Sequence, residues 1–473
     1  MKVALAVPEP SANVVINAPP LNLGYLASYL RAYGRDVEVK IFDGVVQKNV
    51  YSEIIKFQPE VVGISATTPL AYDAYSLSDR LRGRLEDTIT VLGGVHPSAV
   101  PHEAMQYADS VIVGEGERAL LDIVNSYPNK PKKRIEGSPI MNLDEIPSPA
   151  FDLLDVESYL RARDNPGFYY PYGLDYVRTG TVITSRGCHF RCVFCRNSNR
   201  REPVRYHSAE RVVDEVKLFL ERYNVNSMFF LDDEFAINFK RLKRIGELFK
   251  EHGISIPWGC QARTPTLTYE RMKYMKNIGC RFVSVGFEHG NERMLKFLKK
   301  GSATVAQNNK ALIEAERAEM KIGGSFIYGS PTETKKEMED TIKFILEHPQ
   351  FVFVGINVLV PYPGTEVFSI CQKMGLLPEK VDYRKLIPTS KAEDTYTVCD
   401  TVNPEYFRRL VTDAQRRTWV IARTHLLKQT KKYPIFKWLK HFRLAVWNWM
   451  LFNHPKNMLQ LFREVTVESL RSK

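Results

Sequence analysis

Cysteine is scarce in this chain: seven residues in 473, an odd number scattered from Cys188 to Cys399. A disulfide framework needs dense, paired cysteines, so it is excluded, and any local cluster of thiols reads first as a metal site. Long apolar runs are missing as well. No stretch approaches the ~20 apolar residues of a membrane-spanning helix. The first apolar run, Val3-Ala-Leu-Ala-Val7, is too short for the core of a signal peptide. Internal repeats and low-complexity tracts are absent, which removes solenoid and disordered classes. The expectation is a cytoplasmic globular protein, and 44% hydrophobic with 25% charged residues agrees.

Acidic residues are depleted at one end only. Residues 405–473 hold 15 Lys+Arg against 4 Asp+Glu, while residues 1–404 are nearly balanced at 51 against 50. The net charge of +12 is therefore a property of the C-terminal region and not of the body.

Hydrophobic patterning divides the chain into four stretches: 1–127, 128–173, 174–377 and 378–473. In the first, apolar runs at Val3–Val7, Val37–Ile41, Val61–Ser65, Ile89–Leu92 and Ser110–Val113 alternate with helical segments such as Leu21–Tyr33. This is the pattern of an α/β, Rossmann-like, doubly wound parallel sheet, which binds ligands at the carboxyl ends of its strands. Residues 128–173 are rich in Lys and Pro with little periodicity and read as a linker. The third stretch alternates again, with strands expected at Thr181–Thr184, Ser227–Leu231, Ile256–Trp258, Phe282–Gly286, Gly324–Tyr328 and Val354–Val358. Six such units predict a partial (β/α)6 barrel with its site at the strand mouths. The last stretch loses the strands, predicts helices, and holds four of the five tryptophans.

The string Gly187-Cys188-His-Phe-Arg-Cys192-Val-Phe-Cys195 follows the first barrel strand. Three thiolates in a tight loop suit three irons of a four-iron cluster, leaving the fourth iron for a non-protein ligand. A buried helical face would give the same spacing, but His189 and Arg191 interrupt it. A structural zinc site would call for a fourth nearby donor. The motif Cys-x-x-x-Cys-x-x-Cys with Phe194 before the last Cys resembles the signature of radical S-adenosylmethionine enzymes. That resemblance implies a [4Fe–4S] cluster on Cys188, Cys192 and Cys195, with S-adenosylmethionine chelating the open iron. It also implies a one-electron donor such as flavodoxin or ferredoxin, and a 5′-deoxyadenosyl radical that attacks an unactivated C–H bond.

Other strand-end segments resemble the same family's cosubstrate contacts. Asp233 and Glu234 in Phe230–Phe235 match the region facing the methionine amino group, without the common Gly-Gly-Glu form. Arg263 suits a carboxylate, because guanidinium binds one in a bidentate way. Glu288 suits the ribose hydroxyls, and Tyr328-Gly329 resembles the adenine turn. No catalytic acid or base is assigned.

The N-terminal stretch resembles the cobalamin-binding domain that precedes the core in one large class of these enzymes. The matching pieces include Pro19–Leu30, Gly63-Ile-Ser65, Gly93-Gly-Val-His-Pro97 and Val113-Gly-Glu-Gly-Glu117. The residues expected around cobalamin are Ser65, Thr67, Gly93, Gly94, His96, Gly114, Glu115 and Gly116. The Asp-x-His-x-x-Gly loop that supplies a cobalt-ligating His is missing, its place taken by Pro8-Glu-Pro-Ser-Ala-Asn13. The class implies methyl transfer to carbon, with cyclisation or other carbon–carbon bond formation as the alternative.

Finally, Lys431–Phe452 interleaves cations with bulky aromatics. Such a segment suits the interface of an anionic bilayer and, with it, a lipid or isoprenoid substrate. Packing on the barrel and RNA binding are the competing readings. No DNA partner is expected. The non-enzyme alternative is a zinc-binding, RNA-associated protein.

Overall fold

The computed structural model describes residues 1–11, 18–129, 131–161, 178–199, 203–387 and 392–430. Two six-stranded sheets carry the fold. The first is wholly parallel, in the order β2-β1-β3-β4-β5-β6, with β1 (Lys2–Val7), β2 (Glu38–Asp43), β3 (Val61–Ser65), β4 (Ile89–Gly93), β5 (Ser110–Gly114) and β6 (Arg134–Gly137). The order reverses between β1 and β3, the kind of switch point beside which doubly wound sheets place their ligands. The central strands are continuous apolar runs because helices cover both faces, and Val3, Ala4, Leu5 and Ala6 are wholly buried.

The second sheet is the open barrel, in the order β14-β13-β12-β11-β10-β7. Its strands are β7 (Thr179–Val182), β10 (Ser227–Phe230), β11 (Trp258–Ala262), β12 (Cys280–Glu288), β13 (Ile322–Tyr328) and β14 (Phe351–Val358). Between β7 and β10 the short strands β8 (Ser185–Arg186) and β9 (Arg205–Tyr206) pair antiparallel. The expected strand at Ile256–Trp258 begins only at Trp258. Pro257 has no N–H to give a ladder, and the strand proper is built on the small residues Gly259, Cys260 and Ala262.

The described part of the stretch read as a linker, up to residue 161, is packed protein. It supplies β6, an edge strand paired with β5, and buries Ile140, Leu143, Ile146, Ala150 and Phe151. Pro149 sits so close to helix Leu21–Tyr33 that a Cβ on Gly24 would lie 2.9 Å from it, and the Ala150 N–H donates to Gly24 O at 2.9 Å. Its apparent lack of pattern reflects short elements and single anchoring residues, which periodicity does not detect.

The helix Pro404–Thr430 covers edge strand β14, burying Phe407, Val411 and Ala414. No helix of the described residues is long and apolar enough to cross a membrane. The basic aromatic segment after Thr430 lies outside the described residues.

β6 also fixes the loop after β5, because a Cβ on Gly137 would fall 1.8 Å from Glu115 O. Gly137→Ala therefore forces backbone apart and is expected to destabilise by about 1–3 kcal/mol. Thermal melting checks this, and an unchanged Tm would show that the loop yields freely.

Candidate active site between the two sheets

The cysteine loop is held at its base before any ligand is considered. β8 and β9 pin its two ends, and Gly187 turns into it at φ +86°. Below it, the buried carboxylate of Asp232 accepts the Thr184 N–H at 3.1 Å, the Thr184 hydroxyl at 2.9 Å and the Ser185 hydroxyl. Arg241 adds a bond to Thr184 O at 2.9 Å. Within the loop, Cys192 is buried, Cys188 and Cys195 are half-buried, and the Cys195 N–H donates to Cys192 O at 3.0 Å. The Val193 N–H bonds Leu298 O and the Val367 N–H bonds Val193 O, each at 3.0 Å, so the loop is stitched to two other parts of the barrel. Phe194 packs into the neighbouring apolar cluster. Burial pushes the Cys188 thiol up and the Cys195 thiol to about 11. Bare thiolates are disfavoured there, so their anionic form calls for a strongly cationic partner. Among the described residues no three His, Cys, Asp or Glu side chains converge on a single ion. A structural zinc site needs such convergence. A cubane cluster does not, because each thiolate meets a different iron.

The expected cosubstrate residues gather at the strand ends around this loop, with partners the sequence did not announce. Arg263, after β11, is buried and donates to Cys192 Sγ at 3.0 Å and to the Ser302 hydroxyl at 2.8 Å, with its guanidinium 3.7 Å from the centre of the Phe190 ring. Glu234 is buried with one oxygen accepting from the Thr266 hydroxyl at 2.8 Å and the other without a partner, and burial pushes it to about 7. Asp233 is exposed and accepts from the Asn197 amide at 2.9 Å. Glu288, at φ +63°, is paired with the buried Lys299 at 2.8 Å. Tyr328 turns its hydroxyl into the core, donating to Met338 O at 2.7 Å, and its 1% exposure makes the side chain a core residue. Gly329 follows at φ +85°, where a Cβ would lie 2.5 Å from Phe407. Its N–H and that of Ser330 both donate to the buried carboxylate of Glu333, which also meets His289 at 2.9 Å. Lys299, Ser302 and Glu333 were not found from sequence, since each reaches the site through a turn or helix end with no motif of its own.

A cavity of about 260 Å³ opens at the carboxyl ends of β3, β4 and β5 and is closed on the barrel side by Ile183 and Arg186. Six of the eight residues expected there line it: Ser65, Gly93, Gly94, Gly114, Glu115 and Gly116. A Cβ on Gly93 would meet nothing within 4 Å, and Gly94 holds φ +93° against Ala66 O. Two expected residues lie elsewhere. Thr67 is exposed outside the wall. His96 is fully buried, with Nε2 3.0 Å from the Tyr75 hydroxyl and Nδ1 3.3 Å from the Thr68 hydroxyl. Burial lowers it to about 4. Both ring nitrogens are engaged, so His96 is a core residue. The loop Gly93-Gly-Val-His turns directly into helix Val95–Ala99, which carries His96 inward.

The cavity and the cysteine loop are linked by shared side chains. Arg186, two residues before Cys188, pairs with Glu117 at 2.7 Å and Glu115 at 3.4 Å. Arg205, at the other end of the loop, donates to Glu115 at 3.0 Å. Burial raises Glu115, but these guanidiniums more than offset it and hold the carboxyl below its usual range. Arg196, just after Cys195, donates to Ser98 O at 3.2 Å.

Comparison with known proteins agrees with this arrangement. A radical SAM superfamily model matches residues 182–345, and a B12 binding domain model matches residues 11–124. An uncharacterized methyltransferase of Pyrococcus horikoshii is 35% identical over 409 residues, covering 80% of this chain and 84% of that protein. The anaerobic magnesium-protoporphyrin IX monomethyl ester cyclase of Rubrivivax gelatinosus is 26% identical, over 84% and 74% of the two chains. Among solved structures, the cobalamin-dependent S-adenosylmethionine radical enzyme OxsB with aqua-cobalamin bound superposes with TM-score 0.70 at 17% identity, covering all of this chain and 71% of OxsB.

Glu234 gives the site a measurable pH signature. Its folded value lies above its unfolded one, so the penalty is absent in acid and grows as pH rises from about 4.5 to about 7. Cofactor-free protein is expected to lose roughly 3 kcal/mol across that window through this group, and Glu234→Gln to remove that part of the slope. Urea unfolding at pH 5 and pH 7.5 checks it. An identical slope in the variant would place the ionisation elsewhere.

Proposed function

This chain belongs to the radical S-adenosylmethionine enzymes with a B12-binding domain, in the cobalamin-dependent methyltransferase family, and on that premise we propose that it methylates an unactivated carbon. The family's cofactors are a [4Fe–4S] cluster, S-adenosylmethionine and cobalamin. When bound, the cluster supplies the electron that cleaves S-adenosylmethionine, and cobalamin carries the methyl group. The observation that carries the reading is the shared wall: Arg186 faces the Gly-rich cavity and stands two residues from the first cysteine.

The residues fit these groups. Cys188, Cys192 and Cys195 hold the cluster, their raised thiols becoming favourable as thiolates beside iron. Glu234 offers its unpartnered oxygen to the methionine amino group, and Asp233 lies beside it. Arg263 keeps an unpartnered Nε toward the carboxylate. Glu288, already neutralised by Lys299, accepts from the ribose, and the Gly329 turn flanks adenine. The 260 Å³ cavity is below the ~300–1,000 Å³ of drug-sized sites, so its Gly-rich wall at Gly93, Gly94, Gly114 and Gly116 would hold part of cobalamin and not the whole group. With His96 consumed in the core, no cobalt ligand is assigned to it.

A hydrophobic substrate is the reading supported by the basic aromatic sequence of residues 431–452. The similarity to a cyclase supports ring closure as the second outcome.

Anaerobic reconstitution with iron and sulfide is expected to give a four-iron absorption band that Cys192→Ala abolishes, with hydroxocobalamin binding at micromolar levels. Stoichiometric zinc without iron would overturn the reading, and absent corrinoid binding would remove methyl transfer from it. Deleting the residues after Tyr433 is expected to lower co-sedimentation with anionic liposomes, and unchanged partitioning would defeat the membrane-linked substrate.

A further inference from the structure

The guanidinium of Arg263 is held by the protein itself and aimed at sulfur. Nη1 lies 3.0 Å from Cys192 Sγ. Nη2 lies 2.8 Å from the Ser302 hydroxyl, which in turn donates to Lys299 O at 2.6 Å and so has its lone pairs turned toward the arginine. The Phe190 ring closes the third side at 3.7 Å, and Arg263 as a whole is 7% exposed. No carboxylate lies within ion-pair distance among the described residues. The nearby Glu288 is taken by Lys299, and Glu234 points its bonded oxygen at Thr266. A buried cation without a counter-ion is costly unless it faces developing negative charge.

We infer that Arg263 sets the reduction potential of the cluster through its hydrogen bond to the Cys192 sulfur, apart from any contact with the cosubstrate. The inference rests on the reading of Cys192 as a cluster ligand. One-electron reduction by an external donor adds a negative charge to the cluster and its three thiolates. A fixed positive donor on one sulfur stabilises the reduced form more than the oxidised form, which raises the midpoint potential. The low dielectric around a buried group strengthens the bond. Arg263 acts through the sulfur, so it is a positioning and tuning residue here. Its effect exists before S-adenosylmethionine binds.

The test is an anaerobic redox titration of the reconstituted full-length enzyme, without S-adenosylmethionine, followed by electron paramagnetic resonance. Iron content is measured alongside for wild type, R263Q and R263K. The expected result is a midpoint shifted to more negative potential in R263Q and a smaller shift in the same direction in R263K, which keeps the charge but not the planar fork. An unchanged midpoint in R263Q at full cluster content overturns the inference, even if affinity for S-adenosylmethionine falls, because the residue would then serve the cosubstrate alone. If R263Q fails to keep its cluster, R263K decides by the same criterion. A wild-type protein with no reducible four-iron signal overturns the site reading itself and is distinguished by that control.

Discussion

The fold depends on a buried set of charges where the two sheets meet. Glu115 and Glu117, from the loop after β5, face Arg186 and Arg205, which stand at the two ends of the cysteine loop. Removing one partner from such a set leaves an uncompensated charge and costs about 3–5 kcal/mol. Glu115, Glu117 and Arg186 line the Gly-rich cavity while the two arginines anchor the cysteine loop, so neither site has a private frame. The Tyr25 hydroxyl adds a bond to Ile183 O at 3.1 Å, and its ring stacks on His207 with 6.1 Å between centroids, along the same seam.

For the proposed function, that seam is what brings the two reagents together. A cofactor that delivers a methyl group and a radical that prepares the carbon must address one substrate atom. The cysteine loop is tied to the N-terminal sheet on both sides, by Arg186 before it and Arg196 after it. Asp232 fixes the strand beneath. Rigid placement by buried polar groups is what a site needs when its two reagents come from different domains.

Much of the fold was legible because short apolar runs at Val61–Ser65, Ile89–Leu92 and Ser110–Val113, alternating with helical segments, are the pattern of buried parallel strands. The cysteine triplet was legible because three thiols at that spacing in a polar loop have few structural uses. Strand β6 was not, since Arg134-Ile-Glu-Gly137 carries one apolar residue and gains its place through pairing at an edge. His96 was misplaced because a glycine pair beside a histidine looks like a ligand loop, whereas the next turn is helical and draws the ring between Thr68 and Tyr75. Lys299 and Ser302 were invisible for another reason. They reach Glu288 and Arg263 only after the chain has reversed through Glu288 at φ +63° and run a further helix, Glu292–Lys299. Contacts of that kind are set by tertiary packing and leave no local pattern.

The central claim is that cluster and cobalamin occupy one joined site on this chain. Electron paramagnetic resonance of the doubly loaded, reduced protein tests it most directly, since the reduced cluster and cob(II)alamin are both paramagnetic. Shared walls through Arg186 predict spectra altered by spin–spin coupling between the two centres. Two superimposed, uncoupled signals at full occupancy would contradict the account.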